Sequence, residues 1–458
     1  VWYHAETGEL GYNIEDPEAP LLPTRKNAAT GAQFDPAQKR AQSKGRSPRG
    51  ILAPTFSDTL MIATGGKGKN FGVSGKDRSA VAMAGHSGIA YWYSTDTGDF
   101  QTSSYYMDEY PEWVEDWNDE RLAEELGGSA WKLLLDRDNY LHRDRDDRSY
   151  EVDLKGYGIT FPHEFGEPDH PLFFTRVLVS PESDRLLADF AKTLIVEEKL
   201  GGDRVTDYLS VSFSGVDAVN HFFGPGSLEN EDVVLQLDQT IEDLLEFVDD
   251  EIGLEDTLIV LSADHGMPEM PEFATQSGFP AGRVYSEQVL AEARRASQAW
   301  FDTEDLVKDF FRPYLYLDHE AIAGAKLDIT TVATALARAL ERVDGVGGAV
   351  TRAEADAATF GAAAAVKANN HPARTGDVYV YQAPYWFMQE RGAVAAMHGS
   401  PWAYDQHVPI IFAGMDIEPR VIDRRVHPID VAPTLSALLS ILSPASAQGV
   451  PLTEVLQD

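Results

Sequence analysis

The stretch Thr257 to Met267, TLIVLSADHGM, constrains this chain more than any other. Leu258 to Ala263 is a continuous apolar run with β-branched members, bounded by turn residues, and predicts one buried strand. That strand delivers Asp264 and His265 side by side at its carboxyl end, followed by Gly266. Open α/β sheets place their ligands outside the carboxyl ends of their strands, so this carboxylate and imidazole are candidate site residues. Two more predicted strands lie beside Asp/His text. Tyr208 to Ser214 leads into Gly215, Val216 and Asp217-x-x-x-His221, and Val408 to Phe412 is preceded by His398-Gly399. The expectation is one mixed or parallel sheet holding all three strands, with Asp217, Asp264 and His398 converging at its carboxyl edge.

The intervening text supports an α/β architecture. Leu187, Phe190, Ala191, Leu194 and Ile195 recur at helical spacing within Ser183 to Lys199. Val234, Leu237, Ile241, Leu244, Leu245 and Val248 do the same just before the central strand. Strand, helix, strand at these lengths suits a parallel sheet. Thr55 to Thr64 reads as a helix with Thr55 or Ser57 as its cap and Gly65-Gly66 as its stop. Asn70 to Ser74 reads as a short strand whose exit carries Lys76-Asp77-Arg78, and Gln101 to Tyr106 as another strand. Asp328 to Arg342 predicts an Ala-rich helix with Asp328 as N-cap, and Asp377 to Gln382 a strand. The whole is read as a single domain over 1–458, with an acidic, Trp-rich surface insertion at 107–150 and an inserted subdomain at 281–390 near the site.

Composition narrows the chemistry. The 458 residues include no cysteine, so any metal must be held by imidazole and carboxylate. A formal net charge of -36 argues against nonspecific binding to nucleic acid or an anionic membrane. No apolar run is long enough for a transmembrane span. Among 12 histidines, His142, His163, His170, His319 and His371 are assigned to ordinary surface or core roles. Asp217, His221, Asp264, His265 and His398 are the metal candidates. Zinc suits such ligands, and two zinc ions close together clamp an in-line displacement at phosphorus.

The text PTFSDTLMIATGGKGKNFGVSGKDRSAV, FSGVDAVNHFFGP, SADHGM and HGSPWAYDQHVPIIFAG resembles the alkaline phosphatase superfamily. Within it, the chain is similar to the phosphate-irrepressible (PafA-like) alkaline phosphatases, relatives of the type I phosphodiesterases and nucleotide pyrophosphatases. The resemblance implies an alkaline-phosphatase-like three-layer α/β sandwich, with a central mostly parallel sheet and inserted subdomains. It implies two zinc ions, one on Asp217, His221 and His398 and the other on Asp264 and His265. It implies that Lys76 and Arg78 contact non-bridging phosphate oxygens, Arg by its planar fork and Lys as a compact charge. It also implies hydrolysis of phosphate monoesters through a covalent phosphoryl-enzyme.

In such families a further zinc-binding Asp, the Thr or Ser nucleophile and a phosphate-binding Asn precede the W-Y text that stands here at Trp2-Tyr3. The sequence is therefore expected to be a fragment of a longer protein, with the nucleophile and a signal peptide upstream of Val1. The complete protein is expected to be a periplasmic or secreted monomer acting on phosphorylated small molecules, without a nucleic-acid partner. A phosphodiesterase or nucleotide pyrophosphatase, or an inactive metal- or phosphate-binding homologue, remain the alternatives.

Overall fold

The computed structural model describes residues 2–4, 7–24, 41, 43–390, 394–415 and 417–456. Helix α1, Phe56–Ala63, starts with a reciprocal cap. Thr55 Oγ1 accepts from Asp58 N at 3.2 Å, and Asp58 Oδ2 accepts from Thr55 N at 2.8 Å. Gly65 and Gly66, with φ of 64° and 77°, end it in the left-handed region that glycine occupies without strain. Strand β1, Asn70–Ser74, follows and is buried throughout. Helix α2, Asp77–Ala84, lies on it so closely that a Cβ at Gly72 would sit 2.4 Å from Ala80 O.

Strand β2, Ile89–Tyr93, and the short β3, Phe100–Gln101, extend the sheet on one side. Helix α3, Glu182–Glu197, packs against it, and β4, Tyr208–Ser212, extends it on the other side. The order is β3-β2-β1-β4, with β2 and β4 parallel to β1 and only β3 antiparallel. The strand expected over 101–106 is thus cut to Phe100–Gln101. A backbone turn, Tyr106 N to Ser103 O at 3.1 Å, replaces its second half. The largest core cluster lies against this sheet. Phe100 and Phe190 stack at 4.2 Å between centroids, and Trp113 and Trp117 each lie 5.3 Å from Phe190. The acidic segment 107–150 is not confined to the surface, because Val114, Trp117 and Trp131 are buried in that same cluster.

Helix α4, Gly215–Phe223, leaves the end of β4, and α5, Leu228–Glu251, leads to β5, Ile259–Ser262. Residues 281–390 then build a second core. Helices α6, Ser286–Phe301, and α7, Ile329–Leu340, cover an antiparallel sheet. Its strands are β6, Val307–Phe311, β7, Tyr314–Leu317, β8, Val346–Thr351, and β9, Val378–Gln382, in the order β6-β7-β9-β8. Asp328 caps α7 as its sequence predicts, accepting from Thr331 N at 2.8 Å.

Strand β10, Ile410–Ala413, corrects one expectation. It pairs antiparallel with β5, Ile410 opposite Ser262, as a two-stranded ladder separate from the β1–β4 sheet among the described residues. The three site-bearing strands are therefore not one hydrogen-bonded sheet here. Both β4 and β5 have a single ladder partner, and apolar side chains on the ladder stand partly in solvent, Leu261 at 39% and Ile411 at 49%. Local pattern specifies that a strand forms; its partner is decided by residues far away in sequence.

A buried acidic group sits under the first turn of α5. Glu229 Oε1 lies 3.2 Å from His163 Nε2, Arg137 holds Asp146 at 2.6 Å, and Glu151 accepts from Arg148 N at 3.1 Å. One oxygen of Glu151 is buried without a partner. Burial, aided by Glu229, pushes the Glu151 carboxyl up to about 9. An unfolded Glu titrates near ~4.3, so across that window the folded state holds more protons than the unfolded state. Stability must then fall as pH rises through it. The midpoint of thermal unfolding is expected to drop by several degrees from about pH 7 to about pH 10, and by clearly less in Glu151→Gln. Melting curves at both pH values check this; equal drops would remove Glu151 from the account.

Candidate active site and metal centre

Each site residue is set by a local device. At the end of β1, Ser74 Oγ donates to Ser212 O at 3.0 Å and accepts from Lys76 N at 3.0 Å. This ties the exits of β1 and β4 together and fixes where Lys76 leaves the sheet. Asp77 then turns inward and is 1% exposed. Its Oδ1 accepts from Tyr12 OH at 2.6 Å and from Arg78 N at 2.8 Å, and its Oδ2 from Arg46 Nε at 2.7 Å. A charge pair among Lys76, Asp77 and Arg78 on the surface would have been the simpler arrangement. Instead Asp77 is spent on Arg46 and Tyr12, and Lys76 Nζ bonds Asp217 Oδ2. Neither Tyr12 nor Arg46 was legible as a site support, since both lie in polar, Pro-punctuated text.

Asp217 stands in the first turn of α4, which has no cap from its own side chains. Asp184 of α3 supplies one from outside, accepting from Ser214 N and Gly215 N at 3.0 Å each. Asp184 is 1% exposed, and burial raises its carboxyl to about 6 against the pull of those amides and of Lys76. One turn on, His221 donates from Nδ1 to Ala396 O at 2.9 Å; a carbonyl can only accept, so the Nε2 lone pair is left free. His265 Nδ1 bonds Gly266 O at 2.9 Å with the same result.

These free nitrogens meet at one oxygen. Asp217 Oδ1 lies 3.5 Å from His221 Nε2, 3.6 Å from His265 Nε2 and 3.8 Å from His398 Nε2. It is buried and has no hydrogen-bond partner. The His265 and His398 rings stack at 3.5 Å, 13° apart. Burial would raise the Asp217 carboxyl, but Lys76, His221 and His398 hold it well below the usual carboxylate range. Burial lowers His221, opposed by Asp217, and lowers His398, reinforced by His265.

Asp217, His221 and His398 are grouped closely enough to hold one ion, their donor atoms all within 4.8 Å. The structure thus brings together Asp217, His221, His265 and His398 from distant parts of the chain. Asp264 stands apart: its side chain is 85% exposed and touches the cluster only through His265 Nε2 at 3.6 Å. Lys76 and Arg78 line a cavity of about 230 Å³ that also reaches Asp217, His221 and His398. Arg312, at the turn between β6 and β7, lines the same cavity, and sequence reasoning missed it. Nothing in FFRPYLY marks its Arg as different from any hairpin cation.

The sequence pattern of the type I phosphodiesterase / nucleotide pyrophosphatase family matches residues 62–401. The chain is 32% identical, over 90% of its length and 76% of the relative's, to a Myroides odoratus protein named a calcium-transporting ATPase. It is 31% identical to alkaline phosphatase PhoV of Synechococcus elongatus, over 100% of this chain and 80% of that one. The crystal structure of wild-type alkaline phosphatase PafA matches with a TM-score of 0.89 at 28% identity, covering 100% of this chain and 85% of that one. No helix among the described residues is long and apolar enough to cross a membrane.

Proposed function

Because the chain belongs to the type I phosphodiesterase/nucleotide pyrophosphatase family, we propose that it is a zinc-dependent hydrolase of phosphate monoesters, an alkaline phosphatase. One observation carries the reading. A partnerless carboxylate oxygen of Asp217 meets the Nε2 atoms of His221, His265 and His398, and Asp217, His221 and His398 share a cavity with Lys76 and Arg78. A divalent cation there would supply the partner that the Asp217 oxygen lacks. The donors are nitrogen and oxygen with no thiolate, which fits zinc.

On this reading Asp217, His221 and His398 hold one ion, and Asp264 with His265 contribute to a second. Bound there, zinc supplies Lewis acidity toward the phosphoryl and leaving oxygens. The protein's own groups do the rest. Lys76 and Arg78 offset charge on the equatorial oxygens of the transferring group. Asp77, pinned by Tyr12 and Arg46, holds the backbone from which Arg78 projects. The carbonyls of Ala396 and Gly266 fix the tautomers of His221 and His265. The reading includes phosphoryl transfer to a Thr or Ser hydroxyl placed before Val1, and work in the periplasm or outside the cell as a monomer.

The family match also favours a second reading, hydrolysis of diesters or nucleotide pyrophosphates. A diester offers one fewer charged oxygen, so a Lys/Arg pair gains less there. The test uses the complete gene product, stripped by a chelator and reloaded with zinc, on p-nitrophenyl phosphate and bis-p-nitrophenyl phosphate. Monoester hydrolysis is expected to vanish on stripping, return with zinc, and exceed diester hydrolysis in kcat/KM. A diester preference moves the second reading ahead, and hydrolysis indifferent to stripping sinks the metal assignment.

A further inference from the structure

We propose that Arg312 forms a second anion subsite in the cavity, selecting monoesters whose leaving group carries a further phosphate or carboxylate. The proposal rests on the monoesterase reading above. Its starting point is charge. The chain is strongly acidic, at -36 net, yet five cations line this cavity, Lys44, Arg46, Lys76, Arg78 and Arg312, against the carboxylates of Asp77, Asp96 and Asp217. Lys44, Arg46, Lys76 and Arg312 are paired with carboxylates, Arg312 with Glu390, so what sets Arg312 apart is its geometry. Arg46 is committed to Asp77, and Lys76, paired with Asp217, is already assigned to the reacting phosphoryl group. Lys44 faces Asp96 at 3.9 Å with most of its side chain in solvent, a pair of little consequence.

Arg312 differs from these in how it is held. Its Nε bonds Glu390 Oε2 at 3.1 Å, and its Nη1 donates to Met388 O at 3.0 Å. Those two contacts fix the plane of the guanidinium on the 281–390 side of the site. Nη2 faces the Met397 thioether at 4.0 Å, a weak acceptor for a charged donor. Met397 stands next to the candidate ligand His398. An anionic oxygen entering beside Met397 would be a far stronger partner, and a preformed guanidinium loses little freedom in binding it.

The monoesterase reading gives the reacting phosphoryl oxygens to Lys76 and Arg78 and leaves Arg312 to the remainder of the substrate. The simpler role for Arg312 is to tie the β6–β7 turn to Met388 and Glu390. That role makes no distinction between substrates.

The experiment compares phenyl phosphate with 4-carboxyphenyl phosphate in the complete gene product, as wild type, Arg312→Met and Arg312→Lys. For 4-carboxyphenyl phosphate, Arg312→Met is expected to lose about 10- to 100-fold in kcat/KM, mostly in KM, because the contact is uniform in ground and transition states. Phenyl phosphate should change by less than about threefold, and Arg312→Lys should recover part of the loss. Equal losses on both substrates, or none on either, overturn the subsite and leave the monoesterase reading standing. A wild type that hydrolyses neither substrate overturns both. Should Arg312→Met fail to fold, Arg312→Lys still decides, since a loss confined to the carboxylated ester supports the subsite and a uniform loss overturns it.

Discussion

Replacing Asp217 by Ala is expected to abolish tight zinc binding and to lower monoester turnover by about a thousandfold or more. The carboxylate is the one point on which Lys76, His221, His265 and His398 all converge. Removing it takes away the charged member of the Asp217–His221–His398 set and leaves the Lys76 ammonium without its partner. Loss of one preorganised electrostatic contact in a transition state costs about 2.7–4 kcal/mol, or roughly 100- to 1000-fold in rate, before any loss of Lewis acidity. Zinc content after dialysis and kcat/KM for p-nitrophenyl phosphate are the two measurements. A variant that keeps stoichiometric zinc would show that the ion sits elsewhere, whatever happens to the rate.

Lys76→Ala and Arg78→Ala are each expected to slow monoester hydrolysis by roughly 30- to 1000-fold, or about 2–4 kcal/mol, and diester hydrolysis far less. The reason is charge. A monoester dianion presents more negative oxygen to the pair than a diester, in which a second oxygen is esterified. The two variants differ structurally, because Lys76 also bonds Asp217, whereas Arg78 projects from the turn anchored by Asp77. Arg78→Ala should therefore leave zinc content unchanged while Lys76→Ala alters it. Matched kcat/KM values on both esters check the selectivity. Equal losses on the two substrates would mean that the pair only supports structure, and the diesterase reading would then lead.

Sequence reasoning reached the elements whose signals are local. Asn70–Ser74 stands as a strand with the bounds its pattern suggests, and Thr55 and Asp328 cap the helices they precede. The Asp217, His221, His265 and His398 set was legible because each member follows or precedes a strong strand signal. What was not legible depends on contacts distant in sequence. The pairing of Ile259–Ser262 with Ile410–Ala413 alone is one case. The turn that shortens the strand at Phe100–Gln101 is another, since Thr102 Oγ1 spends itself on Ala90 O at 2.7 Å. The Arg46–Asp77–Tyr12 cluster and Arg312 carry no motif at all; only the folded chain brings them to the cavity.

The hydrogen bond from His221 Nδ1 to Ala396 O joins positions 175 apart, and the one between Lys76 and Asp217 joins positions 141 apart. Closing loops of that length costs about 4–5 kcal/mol of chain entropy each. Each such contact returns only about 0.5–3 kcal/mol, so the two do not drive the closure by themselves. The closure is driven by the aromatic cluster around Phe190, the separate core of 281–390, and the small joint of Met270, Phe387, Ala395 and Ala396 between them. The site is accordingly complete only when both cores are formed and docked. A lesion in that joint would silence the site while leaving each core's helices and strands in place. Catalytic competence is thus a stricter gauge of native assembly in this protein than its secondary structure content.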